Sequence, residues 1–330
     1  MMQIGKASYN VLKRSILRPI HARGSQILRA AGIGVDSSAL QIEEGGALVM
    51  ATGTIILNSE YAPGYVIHRV RNDLAVSGAK LDVIQVSLTI PVSMSEQTLA
   101  VWMKRMETVC EQLDITISGG HTTISPAVKM PILSVTGMGK ECYFTPQKPK
   151  PGMDLVMTKY TGIEGTALLS IEKEEELHTR YTYDFIQGAK QMLDDLSVVP
   201  EVMVASQCGV ISMHNLSEGG VLGALWEMTD GAQVGMEACL RNIPIRQQTV
   251  EICEFFGLNP YQLLSGGSML MATEDGNALV RSLKQEGISA EIIGILTDKK
   301  ERVLVNGQER RYLDRPQPDE IYKIIYKDYK

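Results

Sequence analysis

Long apolar runs are missing from this chain. Nowhere do about 18 consecutive residues form a continuous apolar stretch, so no helical membrane span is expected, and no apolar core followed by a small-residue cleavage site stands near the start, so no secretory leader is expected. No Cys-x-x-Cys pair occurs. Cys110, Cys142, Cys208, Cys239 and Cys253 are scattered and odd in number, which reads as reduced thiols in a cytoplasmic protein and not as a disulfide framework. An excess of positive charge is lacking too: the net charge is −6, which leaves no basic footprint for nucleic acid. Lys6, Lys13, Arg14, Arg18 and Arg23 make a local cluster near the start, read as a solvated helix face. Aromatics are sparse at 5%, and there is no low-complexity segment or short repeat.

What is present is a soluble, globular composition, 44% hydrophobic and 21% charged over 330 residues, which is room for two domains of ordinary size. The first half alternates periods. "ALVMATGTIIL" (47–57) reads as a buried strand broken by Gly53. "YVIHRVRNDLAVSG" (65–78) places Val66, Ile67, Val70, Leu74 and Ala75 on one helical face and stops at Gly78. In "LDVIQVSLTI" (81–90), Ile84, Val86, Leu88 and Ile90 alternate with Gln85, Ser87 and Thr89, a half-buried strand. Ser93 and Glu96 suit a capping box for a helix whose stripe runs from Leu99 through Trp102, Met106 and Cys110 to Leu113. "ITIS" (115–118) and "PILSVTGMG" (131–139) are strands, giving an α/β or α+β layer.

"TPQKPKPGM" (145–153) is the strongest linker signal, so the expected domains are 1–147 and 148–330. In the second half, helices are expected near 181–195 and 199–208, over 217–229 with Ser217 as N-cap, over 246–257 closed by Gly257, and over 275–286. Strands are expected at 209–215, 268–273 and 290–296, with a hairpin turn at Asn306-Gly307.

Four stretches share one look, a strand followed by glycine and small polar residues: "GIGVDSSAL" (32–40), "RNDLAVSGA" (71–79), "SGGHTTISP" (118–126) and "HNLSEGGV" (214–221). Backbone amides in such loops hold anionic oxygens. Each alone is weak; their combination points to a phosphate-bearing ligand.

In order and spacing these four stretches resemble the AIR synthase-related superfamily, which includes aminoimidazole ribonucleotide synthetase, thiamine-monophosphate kinase, selenophosphate synthetase and the hydrogenase maturation protein HypE. "NDLAVSGA" (72–79) and "IPIRQQTVEICEFFGLNPYQLLSGG" (243–267) look most like HypE. The resemblance implies a two-domain fold, with an N-terminal mixed-sheet dimerisation domain and a C-terminal α/β domain. It also implies ATP used with Mg²⁺, and a homodimer whose N-terminal sheets meet in a shared barrel near the nucleotide. Residue by residue it implies a nucleotide site of Asp36, Asn72, Gly119, Gly120, Thr122, Asn215, Gly219 and Gly220. Asp36 and Asp73 would be the metal ligands, and His121 and Asp73 the catalytic residues.

The chain departs from the family pattern where acids are usual. Gly-Asp-Asp is here Gly34-Val35-Asp36, Thr-Asp is Thr52-Gly53, Gly-Gly-Asp-Thr is Gly119-Gly120-His121-Thr122, and His-Asp is His214-Asn215. An Asn-Glu-Gly of HypE falls near Ser265-Gly266-Gly267. Magnesium wants hard oxygen ligands, and histidine suits softer metals, so a weakened Mg²⁺·ATP site is expected. HypE ends in a cysteine that carries the carbamoyl group it dehydrates. This chain ends "KIIYKDYK", so the expectation is a substrate or partner thiol supplied in trans, with hydrogenase maturation proteins as candidate partners. The rival expectations are a paralogue that binds nucleotide or a partner without turnover, and a small-molecule kinase of the thiamine-phosphate type.

Overall fold

In a computed structural model, residues 9–18, 26–30, 32–42 and 46–327 are described. They form two units: one is Asp36–Phe144 together with residues 26–30, and the other is the chain from Thr145 onward together with residues 9–18 and 32–35.

Six strands form the sheet of the first unit: β1 (Ile27–Arg29), β2 (Ser38–Gln41), β3 (Ala47–Ile56), β4 (Val83–Pro91), β5 (Thr116–Ser125) and β6 (Ile132–Lys140). Their order is β1-β2-β3-β6-β4-β5. Every neighbouring pair is antiparallel except β4 with β5, whose connection is the helix Glu96–Leu113. The apolar period explains the layering. Helix Ala62–Ala75 packs on β3 and β6 with Val66, Ile67, Val70 and Leu74 fully buried. Ile84, Val86 and Leu88 of β4 are buried with Val49 and Ala51 of β3. Each such side chain contributes about 1.5–3 kcal/mol as an upper bound.

Several local expectations are corrected. β3 runs unbroken through Gly53; a side chain there would press on Val66 and Val70 of the helix. The cap of Glu96–Leu113 is Ser95, which accepts from the Thr98 amide at 3.1 Å, and not Ser93. The largest correction is β5. "ITIS" does not end at Gly119; the strand continues through Gly119, Gly120, His121 and Thr122 to Ser125.

The second sheet holds β7 (Asp154–Thr158), β8 (Ser212–Asn215), β9 (Gly235–Cys239), β10 (Met269–Thr273), β11 (Ala290–Thr297), β12 (Arg302–Asn306) and β13 (Glu309–Tyr312), in the order β13-β12-β9-β11-β7-β10-β8. Its core is Leu155, Met157, Met236, Ala238, Leu270, Ala272, Ile293 and Leu296, closed by Val221, Leu225 and Met228 of helix Gly220–Ala232. β12 and β13 are the hairpin at Asn306-Gly307. Helix Gln247–Phe256 ends at Gly257, whose φ of 65° needs no Cβ. Helix Ile163–Glu172 packs with Tyr183–Lys190 and Gln247–Phe256. β7, β9 and helix Ile163–Glu172 show no amphipathic period because both faces are covered: β7 is buried from Leu155 to Thr158 and the helix from Ile163 to Ser170.

Candidate functional site

Residues 36–40 of the first glycine-bearing stretch meet the second stretch in the first unit. Arg29, at the end of β1, donates through Nε to the Ser37 carbonyl at 3.1 Å and through one terminal nitrogen to Ser37 Oγ at 3.0 Å. The same nitrogen reaches the Ser77 carbonyl at 3.4 Å. Asp36 lies within electrostatic reach of this guanidinium, as does Glu141. Burial lowers the Arg29 pKa, and the two carboxylates oppose the shift. Asn72 is buried in the last turn of Ala62–Ala75, with half-buried Asp73 beside it. The turn that follows is held at Gly78, whose carbonyl accepts from the amides of Cys142 and Tyr143. Arg71 lies within electrostatic reach of the Tyr143 hydroxyl, and its pKa is also lowered by burial. Sequence reasoning missed both arginines; a lone Arg in a three-residue strand gives no pattern to read.

The third stretch is strand, not loop. The β4–β5 register slips between Ile84↔Ile117 and Gln85↔Gly119, so Ser118 is an extra residue, and its hydroxyl bonds the Ile84 carbonyl at 3.0 Å. Gly120 then passes so close to β4 that a Cβ would collide with the Val86 carbonyl. This contact accounts for glycine at 120. Nothing crowds Gly119. His121 and Thr122 are exposed.

β5 is the last strand of its sheet. Across the open face, away from helix Ala62–Ala75, the register aligns Thr54, Ser134, Ser87 and His121 in one row and Thr52, Thr136, Gln85 and Gly119 in the next. The hydroxyls pair along these rows, Thr54 with Ser134 at 2.8 Å and Thr52 with Thr136 at 2.9 Å. His121 therefore ends a row of hydroxyls and does not sit in a glycine turn.

The fourth stretch lies in the second unit. His214 and Asn215 end β8, both buried, and His214 Nε2 meets Glu227 Oε2 at 3.3 Å. Glu227 belongs to helix Gly220–Ala232, where Gly34, at φ 68°, packs so tightly that a Cβ would strike the Glu227 carbonyl. The helix starts at Gly220 and is capped by Gly219, at φ 87°, and not by Ser217. The Gly219 amide is already bonded: it donates to Asp319 Oδ2 at 2.7 Å. Asp319 Oδ1 accepts from Leu264 at 3.2 Å and from Ile321 at 2.9 Å. The Ser265–Gly267 loop is tied in the same way. Ser265 Oγ accepts from Gly162 at 2.7 Å, Glu164 accepts from Gly266 at 3.0 Å, and Lys159 donates to the Gly267 carbonyl at 3.0 Å. Lys159 also pairs with the fully buried Glu201 at 2.7 Å, a charge pair taken up entirely within the fold. Asp319 and Glu164, like Arg29, were not legible in advance.

Among the described residues no three His, Cys, Asp or Glu side chains converge as a metal cluster, and no helix is long and apolar enough to cross a membrane.

Two mixed α/β units with these two sheets have the two-domain AIR synthase-like fold. The chain belongs to the AIR synthase related protein family: residues 34–140 match the model of its N-terminal domain and residues 150–306 that of its C-terminal domain. Over 266 residues it is 26% identical to a hydrogenase expression/formation protein of Methanocaldococcus jannaschii, covering 77% of this chain and 76% of that protein. It is similar in fold to HypE in a HypE–HypF complex, with a TM-score of 0.74 and 17% identity over 93% of this chain and 99% of the other. It is similar again to HypE in complex with ATP, with a TM-score of 0.71 and 17% identity over 97% and 98% of the two chains.

Proposed function

We propose that this chain binds ATP and acts as a HypE-like maturation protein with a reduced metal site. The observation that carries the reading is the Arg29 bridge, which holds the Asp36 stretch against the turn that follows Asn72-Asp73. A similar chain in complex with ATP supports the ligand, and one in complex with HypF supports a maturation partner. Asp36 and Asp73 are the carboxylates offered to Mg²⁺. With Gly53 and His121 at the other acid positions of this unit, most oxygens around such an ion come from the triphosphate and water. The metal would neutralise charge on the transferring phosphoryl group. Arg29 fixes the loop, and His121 sits where a proton or a phosphate oxygen can be met at the sheet surface. The edge of β5 offers backbone N–H and C=O groups to a second copy, so the protein acts as a homodimer, with 1–147 and 148–330 as its functional halves.

One observation favours a second reading, a partner-binding protein without turnover: the Gly219 amide is filled by the chain's own Asp319.

Calorimetric titration of ATP with Mg²⁺ and then with EDTA separates the two. The proposal expects binding that weakens at least tenfold in EDTA, and that His121→Asp strengthens in Mg²⁺ alone. Binding indifferent to Mg²⁺ in both proteins sinks the metal-assisted reading. No binding leaves the second reading standing.

A further inference from the structure

We propose that the amides of Gly219 and Leu264 form a carboxylate site which the C-terminal segment fills from within, Asp319 acting as a latch that holds both glycine loops. Three observations meet here. Two separate loops supply the donors, Gly219 at 2.7 Å to Oδ2 and Leu264 at 3.2 Å to Oδ1, and the segment adds its own Ile321 amide at 2.9 Å. The carboxylate is buried, 3% exposed. Its neighbour Glu320, also buried, accepts from the Asn259 amide at 3.2 Å and donates its own amide to the Gln262 carbonyl at 3.3 Å, so the segment is anchored directly after the latch.

The donor set reads a planar monoanion. Two loop amides, one on each carboxylate oxygen, match a carboxylate fork. Glu218 stands close enough to act on Asp319 electrostatically, and the buried Glu320 is next in the chain, so a phosphate dianion meets repulsion there. Leu216 bonds the Ser268 carbonyl and Ser265 the Ser217 carbonyl, which joins the latched loops to the end of β8 at His214 and Asn215. The C-terminal segment thereby holds the strand end that carries those two residues. An external carboxylate takes the cradle only when Asp319 leaves it. This inference stands whether or not the chain binds ATP.

The test is chemical rescue of Asp319→Ala in the full chain with formate, with inorganic phosphate as the contrasting probe. Backbone amide resonances of Gly219 and Leu264 and the thermal midpoint are read together. The latch predicts that formate shifts both amides saturably in the variant, raises its midpoint, and does neither in the parent protein, while phosphate has the weaker effect. Formate leaving both amides unmoved in the folded variant overturns it. Phosphate outcompeting formate overturns the carboxylate assignment. If Asp319→Ala does not fold, Asp319→Asn is measured by hydrogen exchange. At least tenfold faster exchange at Gly219, with the β3–β6 amides unchanged, upholds the latch, and uniform acceleration across the chain overturns it.

Discussion

Arg29 and Ser77 stand 48 residues apart in sequence, and the guanidinium of the first reaches the carbonyl of the second at 3.4 Å while gripping Ser37. One planar fork thus sets the distance between two stretches that the sequence shows only as separate glycine-bearing runs. Arg29→Ala removes the bridge and costs about 2 kcal/mol in stability, by the usual worth of hydrogen bonds from a charged donor. Arg29→Lys keeps the charge but not the fork and restores less than half of the loss. Urea unfolding of the three proteins measures this, and equal stability of Arg29→Lys and the parent would show that charge alone suffices. On the proposed function, ATP affinity follows the same order.

Gly119 and Gly120 are neighbours with different reasons to be glycine. A Cβ at 120 meets the Val86 carbonyl, and one at 119 meets nothing. Gly120→Ala is expected to cost about 1–3 kcal/mol, the range for forced overpacking, and to disturb the β4–β5 pairing. Gly119→Ala costs less, its loss coming only from a φ that side chains seldom adopt. Chemical denaturation of both variants checks the order, and a milder Gly120→Ala would mean that β4 and β5 do not approach as described.

Stability should depend on pH through Asp319. Burial, helped by the Glu218 charge, pushes its carboxyl up to about 7 against three amide bonds that favour the charged form. The unfolded chain titrates an aspartate near about 4, so between about 4 and 7 the folded protein holds the extra proton. Its stability is therefore greatest at the acid end of that window, falls as pH rises through it, and levels off above. Glu201 is raised by burial against the opposing Lys159 and slopes the same way. Thermal midpoints between pH 5 and 8 should decline in the parent and decline less in Asp319→Asn; parallel curves would show that Asp319 titrates like an exposed acid.

The thiols divide by environment. Burial pushes Cys110 up to about 11 and Cys253 up to about 12, while Cys142 and Cys208 are exposed and Cys239 is half-buried. The thiolate is the reactive form. At pH 8 a disulfide reagent should label Cys142 and Cys208 fast, Cys239 slowly, and Cys110 and Cys253 only on unfolding. Early labelling of Cys253, identified by peptide mass, would place helix Gln247–Phe256 outside the core.

By itself the sequence determined the elements that bury one face. The alternation of Ile84, Val86, Leu88 and Ile90, and the stripe Val66, Ile67, Val70 and Leu74, admit one period each, and both are buried as that period requires. The family, too, was legible, because strand, glycine and small polar residues recur in a fixed order. Tertiary structure decided the rest. A Gly-Gly pair reads locally as a turn, yet the close backbone of β4 makes Gly120 a strand residue and carries His121 onto the sheet surface. β7 has no alternation to read because both its faces are covered. Gly219 looked like an open anion loop, but the acceptor for its amide is Asp319, 100 residues on. Which acceptor an amide finds, and which cation a loop leans on, depends on chain segments brought together only by burial of the core, and no local pattern encodes that meeting.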